Sequence, residues 1–384
     1  MTDRVRVLLL IPHLGGGGAE RVMACVAANL DPAIFEAHLA LIADDFPGTP
    51  PLPQRVTIHR LGVQRVRRAA WPLHKLIRRL RPQIILSGMV HLNLLALLLQ
   101  PFLPANTTLL ARQNTTASLA IRGKLHRRIF AWLHRRADVI LCQSEAMADD
   151  LVTHFSLDRR RMIVVPNPIE IASLRQQSLR ERAMPSTPDS LLWRTASIRI
   201  IAIGRLSAEK GYDLLLRAFA QIPAHHPDTR LAILGDGPQR HRLLALQNKL
   251  GLEDSVIFPG FQDDIASWLG SAHLFVQPSR LEGMPNALLE AAAVGLPLVA
   301  TPSSESLKRM LGGAPGVWLT RSISANSLAE TIGTALEAMQ QKPQSRFEHA
   351  FLRPFDLPLA IAAYERALLG SIRILKVPAA GGTA

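Results

Sequence analysis

One repeated pattern limits this chain's fold more than anything else. Short, continuously apolar runs alternate with helical patterns, the alternation stops near Asn167, and it restarts near Arg199. In the first half, strands are expected at 5–11, 38–42, 83–86, 108–111, 139–142 and 162–165. Helices are expected between them at 20–30, 71–80, 91–99, 123–137 and 146–155. In the second half, strands are expected at 199–203, 230–234, 255–258, 273–276 and 297–300, with helices at 214–221, 239–250, 264–270 and 286–294. Strands that are apolar throughout, without a polar face, suit a parallel sheet covered on both sides. The expected fold class is therefore α/β, with two doubly wound Rossmann-like parallel-sheet domains facing across a cleft. The expected boundaries are 1–170 for the first domain, 171–197 for a linker or mobile loop, 198–355 for the second domain and 356–384 for a C-terminal helix and tail.

A chain of 384 residues exceeds one comfortable core, which agrees with two domains. With 48% hydrophobic and 19% charged residues it reads as globular. Its two cysteines, Cys25 and Cys142, form neither a disulfide framework nor a metal-spaced cluster, as in a reducing cytoplasm. The apolar run at 7–11 ends at Pro12 and a glycine loop like a first strand, not a signal peptide. The longest apolar stretch, 92–103, holds Asn93, Gln100 and Pro101 and is too short to span a bilayer. Charge is uneven. Residues 1–170 carry 22 Lys/Arg against 12 Asp/Glu, and residues 171–384 carry 22 against 18. The first half is thus expected to face something anionic. Nucleic acid and an anionic membrane surface are both candidates, but with only 5% aromatic residues and no aromatic-basic interleaving, single-strand stacking is not expected.

Four segments of the second half fall at expected strand ends, where open α/β sheets bind ligands. Arg205 and Lys210 flank a loop entering a helix, a cation pair fit to clamp a diphosphate or to stand as solvated surface charge. Leu234-Gly235-Asp236-Gly237-Pro238 reads as a tight turn. Phe258-Pro259-Gly260 ends a strand where backbone could read a base edge or simply turn. Glu282 and Glu290 stand with seven residues between them at a strand-to-helix junction, where Gly283 lets backbone approach a polyhydroxyl ligand. The helix start beside them favours an anion.

These pieces together, GRLSAEKG at 204–211, LGDGP at 234–238, FPG at 258–260 and PSRLEGMPNALLEAAAVGLPLVAT at 278–301, resemble the donor domain of retaining glycosyltransferases of family 4, with the GT-B fold and the E-x7-E motif. The first half adds GGGGAERV at 15–22, HLNLLALLL at 91–99 and VVPNP at 164–168, so the resemblance covers about residues 5–370. It implies transfer of a hexosyl or N-acetylhexosaminyl group, with retention, from a nucleotide diphosphate sugar, UDP favoured over GDP. By the family pattern Arg205 and Lys210 hold the diphosphate, Glu282 the sugar hydroxyls and Glu290 the ribose. Gly283, Met284, Asn286 and Ala287 bracket sugar and phosphates, with Gly16, Gly17 and Pro259 as further donor contacts. No Asp-x-Asp metal motif is present, so the cations are expected to replace a divalent ion, with no cofactor.

The first half departs from the pattern. Many relatives carry a histidine after the strand that here ends in Ala111-Arg112, and Gln113 stands in that place. His91, Arg112 and Gln113 are the candidate acceptor-side residues. In residues 121–136, Leu125, Ile129, Trp132 and Leu133 recur at helical spacing among Lys124, Arg127, Arg128, Arg135 and Arg136. That pattern fits an interfacial helix or a core-packed helix with a basic face. Arg65, Arg67, Arg68, Lys75, Arg78, Arg79 and Arg81 extend the basic surface. The expected role is a cytoplasmic enzyme, peripheral on the inner membrane face, acting on a lipid-linked or lipopolysaccharide-type acceptor in surface polysaccharide assembly. The alternatives are a soluble small acceptor and a catalytically idle partner subunit.

Overall fold

The computed structural model describes residues 4–15, 17–43, 52–180, 190–222, 228–341 and 346–376. The chain divides into two compact units, Met1–Pro168 with Leu357–Ala384, and Ile169–Asp356.

In chain order the first unit contains β1 (Val5–Ile11), α1 (Gly18–Asn29), β2 (Phe35–Leu41), β3 (Thr57–Arg60), α2 (Ala70–Leu80), β4 (Ile84–Ser87) and α3 (Val90–Leu99). There follow β5 (Thr108–Arg112), α4 (Ala117–Ala120), α5 (Lys124–His134), β6 (Val139–Cys142), α6 (Glu145–Phe155) and β7 (Met162–Val164). The second unit contains α7 (Ile171–Arg180), α8 (Ser190–Arg194), β8 (Ile198–Ile203), α9 (Tyr212–Phe219), β9 (Thr229–Leu234), α10 (Arg240–Lys249) and β10 (Val256–Gly260). It continues with α11 (Ile265–Ser271), β11 (Leu274–Gln277), α12 (Asn286–Ala293), β12 (Leu298–Ala300), α13 (Glu305–Leu311), β13 (Val317–Leu319) and α14 (Ala325–Gln341). Finally α15 (Leu357–Lys376) returns to the first unit.

Both sheets are parallel throughout, ordered β3-β2-β1-β4-β5-β6-β7 and β10-β9-β8-β11-β12-β13. The strand order reverses between β1 and β4 in one sheet and between β8 and β11 in the other, and such reversals open a ligand crevice at the carboxyl ends of the strands. Strand alternation builds a core on each face. In β1, Leu8 and Leu10 pack with α2, α3, α5 and α6. Val7, Leu9 and Ile11 pack with α1 and with Ile361, Tyr364, Ala367 and Leu368 of α15. In the second unit α11, α12 and α13 cover one face, and α9, α10 and α14 the other. Local signals fix the helix starts: Ser144, Asp264 and Ser304 each accept a backbone N–H two or three residues into α6, α11 and α13.

Of residues 171–197, expected as a linker or mobile loop, 181–189 lie outside the described residues, and the flanking parts form helices α7 and α8. Helix α7 lies against α11 and α12, so closely that a β-carbon on Gly270 would come within 2.8 Å of the Ser178 carbonyl. In α8, Trp193 is fully buried and donates through Nε1 to Ser271 Oγ at 3.0 Å. The stretch looks irregular in sequence because α7 needs only Ile171 and Leu174 against the core and leaves most of its surface to water. Two edge strands, β3 and β13, have no expected counterpart; neither contains a buried residue, so neither needs an apolar run. The apolar stripe of α5 divides between the two readings the sequence left open. Leu133 faces the core with Phe130 and Ala131, while Leu125, Ile129 and Trp132 face out. Among the described residues no helix is long and apolar enough to cross a membrane.

Candidate functional site

The loops leaving β8 and β11, the two strands at the reversal, meet in the second unit. Gly211, in the left-handed region at φ 69°, turns the first loop into α9. A β-carbon there would come within 2.1 Å of the Pro278 carbonyl, so only glycine lets the loops approach this closely. Arg280 fastens them from the outside, donating to both carboxylate oxygens of Asp213 at 2.7 Å and to the Ala208 carbonyl at 2.9 Å. Its backbone N–H donates to the Glu209 carbonyl at 2.7 Å.

This junction brings Lys210 and Glu282 together. Lys210 Nζ donates to Glu282 Oε1 at 2.7 Å, with the carboxylate side chain 7% exposed. The same oxygen accepts from Ser279 Oγ at 2.6 Å and Gln277 Nε2 at 2.8 Å, and Gln277 Nε2 also reaches Ser279 Oγ at 2.6 Å. Gln277 and Ser279 are buried, and Thr301, just past the neighbouring strand β12, donates to the carbonyls of both. Tyr212, at the start of α9, is buried beneath them. Burial first, and the Glu282 charge second, push its phenol above the ordinary tyrosine value. Sequence reasoning passed over Gln277, Ser279, Asp213 and Arg280; the signal available for the first two was their position at the end of an apolar strand, just ahead of Glu282.

The other donor-side candidates sit around this pair or apart from it. Arg205 is exposed in the β8 loop, and no hydrogen bond or ion pair among the described residues engages its guanidinium. Gly283 is buried between Glu282 and α12, while Met284 and Ala287 pack partly against the core. Asn286 opens α12 and the buried Glu290 lies just over one turn inside it. Pro259 lies in β10, its carbonyl accepting from Gln262 Nε2 at 2.9 Å. A cavity of about 390 Å³ near α9 and α10, lined by Arg217, Arg242, Lys249 and Arg280 among others, includes none of Lys210, Glu282 and Glu290.

In the first unit Gly16 lies outside the described residues. Gly17 caps α1, its N–H donates to the Gly15 carbonyl at 3.0 Å, and the Glu20 carboxylate folds over it. His91 is exposed near the start of α3. The protein around it draws its pKa below the usual histidine value, with Glu20 acting in the opposite direction and His13 in the same one. Arg112 is 1% exposed and faces no open site: Nε donates to Tyr364 Oη at 2.9 Å, one terminal nitrogen to Asn167 Oδ1 at 2.6 Å and the other to Asn114 Oδ1. It therefore ties α15 and the Asn167 turn to the sheet. Gln113 is equally buried, its Nε2 without a hydrogen-bond partner.

The profile of the family described as Glycosyltransferase Family 4 matches residues 16–173, and that of Glycosyl transferases group 1 matches residues 185–350. The chain is 28% identical over 345 residues, 86% of its length and 89% of the relative's, to the N-acetylgalactosamine-N,N'-diacetylbacillosaminyl-diphospho-undecaprenol 4-alpha-N-acetylgalactosaminyltransferase of Campylobacter jejuni. Among solved structures, Anabaena Alr3699/HepE in complex with UDP-glucose superposes with a TM-score of 0.79 at 20% identity, covering 96% of this chain and 100% of that one. Sucrose-phosphate synthase from Thermosynechococcus elongatus superposes with a TM-score of 0.77 at 18% identity, covering 97% and 100%. At these identities the two structures speak to the fold alone. Profiles over both halves, a relative matched along most of its length and two all-parallel Rossmann-like domains identify this chain as a GT-B glycosyltransferase of group 1, family 4.

Proposed function

We propose that this glycosyltransferase moves a hexosyl or N-acetylhexosaminyl group, with retention and without a metal ion, from a nucleotide diphosphate sugar to a lipid-linked or lipopolysaccharide-type acceptor for surface polysaccharide. We place it peripherally on the cytoplasmic face of the membrane. The observation that carries the donor side is the Lys210–Glu282 pair, held by Gln277 and Ser279 where the strand order reverses. Ligands of open α/β sheets gather at that point. A UDP-sugar is the favoured donor. The lipid-linked acceptor is favoured by the undecaprenol-linked activity named for the Campylobacter relative.

In this reading the bond between the sugar's anomeric carbon and the diphosphate oxygen breaks while the acceptor oxygen bonds to that carbon on the same face. The acceptor's proton passes to the departing phosphate, so no protein base is required. Negative charge grows on the diphosphate, and in this reading Arg205 and Lys210 stabilise it, the task a divalent ion performs elsewhere. Glu282, its Oε1 already bound by three donors, offers its other oxygen to a sugar hydroxyl. Glu290 takes the ribose hydroxyls.

Binding and hydrolysis screened over UDP- and GDP-sugars test this. Lys210→Ala is expected to slow transfer by roughly 10²–10³-fold, and Glu290→Ala to weaken nucleoside diphosphate affinity. Parental donor affinity in both variants would place the donor elsewhere.

A further inference from the structure

From Phe46 to Arg136 the chain contains no aspartate or glutamate, yet sixteen lysines and arginines fall in that span. The described part of it supplies α2, α3 and α5, which bury their inner sides on one face of the first sheet and so turn their outer sides the same way. No salt bridge among the described residues involves α2 or α5. The surface of α2, α3 and α5 is thus cationic, and the acidic groups on this face of the sheet, Glu145, Asp149 and Asp150, belong to α6.

Large apolar side chains stand out from the same layer. Leu125, Ile129 and Trp132 of α5 are 67%, 44% and 51% exposed, and Trp71 of α2 and Phe102 are 74% and 63% exposed. Their spacing is helical. Leu125, Ile129 and Trp132 follow each other at i, i+4 and i+7, with Lys124, Arg128 and Arg135 one position round the helix. On α2, Trp71, Lys75 and Arg78 repeat that spacing. Trp71 stacks on His74, and His74 meets Phe102 edge-on with ring centroids 6.4 Å apart, so these three form one patch, while Trp132 on α5 carries the Arg136 guanidinium over its ring at 4.0 Å. Beyond Phe102 and Arg78 opens a cavity of about 400 Å³ at the amino edge of the sheet, lined by Arg6, Arg78, Arg81 and the 104–107 turn. Arg6 is fixed there by donating to the Leu80 carbonyl at 2.6 Å.

We infer that the outer face of α2, α5 and the Gln100–Phe102 turn docks on an anionic lipid bilayer, and that the Arg6–Arg78–Arg81 cavity seats the phosphate of one lipid headgroup. Exposed aromatics suit the boundary between headgroup and acyl chain, and each cation near an anionic leaflet tightens binding by about fivefold. A single-stranded nucleic acid would require aromatics interleaved with the cations along one groove, whereas here Trp71, His74 and Phe102 cluster together. This surface deepens the membrane-bound reading above and rests on it.

The full chain is sedimented with vesicles of phosphatidylcholine alone and of phosphatidylcholine with phosphatidylglycerol in equal amounts, at low and high salt. Pelleting is expected with the anionic vesicles only, and salt should release it. W71S/F102S is expected to weaken binding roughly tenfold or more through loss of buried apolar surface. R78Q/R81N should weaken it about fivefold per charge, and should also abolish saturable binding of short-chain phosphatidylglycerol, which W71S/F102S retains. Asn suits Arg81, whose φ is 47°. A parent that ignores anionic vesicles at low salt, or that binds duplex DNA in preference to them, overturns the inference. Both variants pelleting like the parent overturns it equally. Short-chain lipid binding unaffected by R78Q/R81N removes the headgroup site. Sedimentation needs no sugar donor, so a failed donor site shows as lost hydrolysis with docking intact, and a failed docking face as the reverse.

Discussion

Glu282 shows how a buried carboxylate is given one task. Three donors, Lys210 Nζ, Ser279 Oγ and Gln277 Nε2, converge on Oε1 at 2.6 to 2.8 Å. The donors fix the rotation of the carboxylate, which sets where its other oxygen points. In the proposed reading Ser279 and Gln277 are therefore positioning residues, acting through Glu282. A hydrogen bond to a charged group contributes about 1.5–3 kcal/mol, so Ser279→Ala is expected to lower kcat/KM for the nucleotide sugar roughly ten- to hundredfold. Affinity for the nucleoside diphosphate alone, which Glu282 does not contact in this reading, should hold at the parental value. Initial rates over a range of nucleotide-sugar concentrations, with calorimetric titration of the nucleoside diphosphate, check this: equal losses in the two would mean that Ser279 merely supports the fold. Gly211 makes a sharper structural case, with φ at 69° and the Pro278 carbonyl 2.1 Å from its missing β-carbon. Gly211→Ala should destabilise the second unit by at least about 2 kcal/mol, read by urea unfolding.

At the scale of elements, the role of α15 follows from one buried guanidinium. Arg112 is matched by neutral oxygens, from Tyr364 on α15, Asn167 after β7 and Asn114, so helix, turn and strand share one charge. Tyr364→Phe removes one of these partners without changing the packing and should cost the first unit about 2 kcal/mol in chemical denaturation. An unchanged midpoint would show that the guanidinium finds another acceptor. No local pattern in the sequence announces this link, because Arg112 and Tyr364 are 252 positions apart. What sequence does show is local and periodic. Central strands such as β1 and β8 are buried on both faces and must be apolar, so their runs are plain. The edge strands β3 and β13 and the mostly exposed α7 escape notice because packing asks little of them. The candidate site divides in the same way. Lys210 and Glu282 stand beside glycines in short motifs, whereas the donors that orient Glu282 look like ordinary strand-end residues until the fold brings them within 2.8 Å.

Taken as a whole, the molecule contains buried histidines in both units, and these tie its stability to pH. Burial pushes His134 in α5 and His273 before β11 down to about 4. His134 Nδ1 pairs with the Phe130 carbonyl, its ring stacks on Phe130, and its Nε2 is buried without a partner, so a second proton has no acceptor. The arginines Arg199 and Arg346 add to the burial effect on His273. Both rings titrate from 6.5 in the unfolded chain. Above that pH both states are neutral and the histidines contribute no slope. Between 6.5 and about 4 the unfolded chain takes up protons that the folded chain refuses, so stability falls as pH falls. Below about 4 both states are charged and the loss is complete. For His134 that loss amounts to about 3 kcal/mol at most. Asp138 works the other way, because burial raises its carboxyl pKa and acidification through the raised value favours the folded state. Melting followed from neutral pH to pH 4 should therefore show a steep acid loss that His134→Phe, which keeps the stacking on Phe130, partly flattens. If the His134→Phe profile runs parallel to the parent's across that window, the slope belongs to other groups and the buried ring of α5 is not its source.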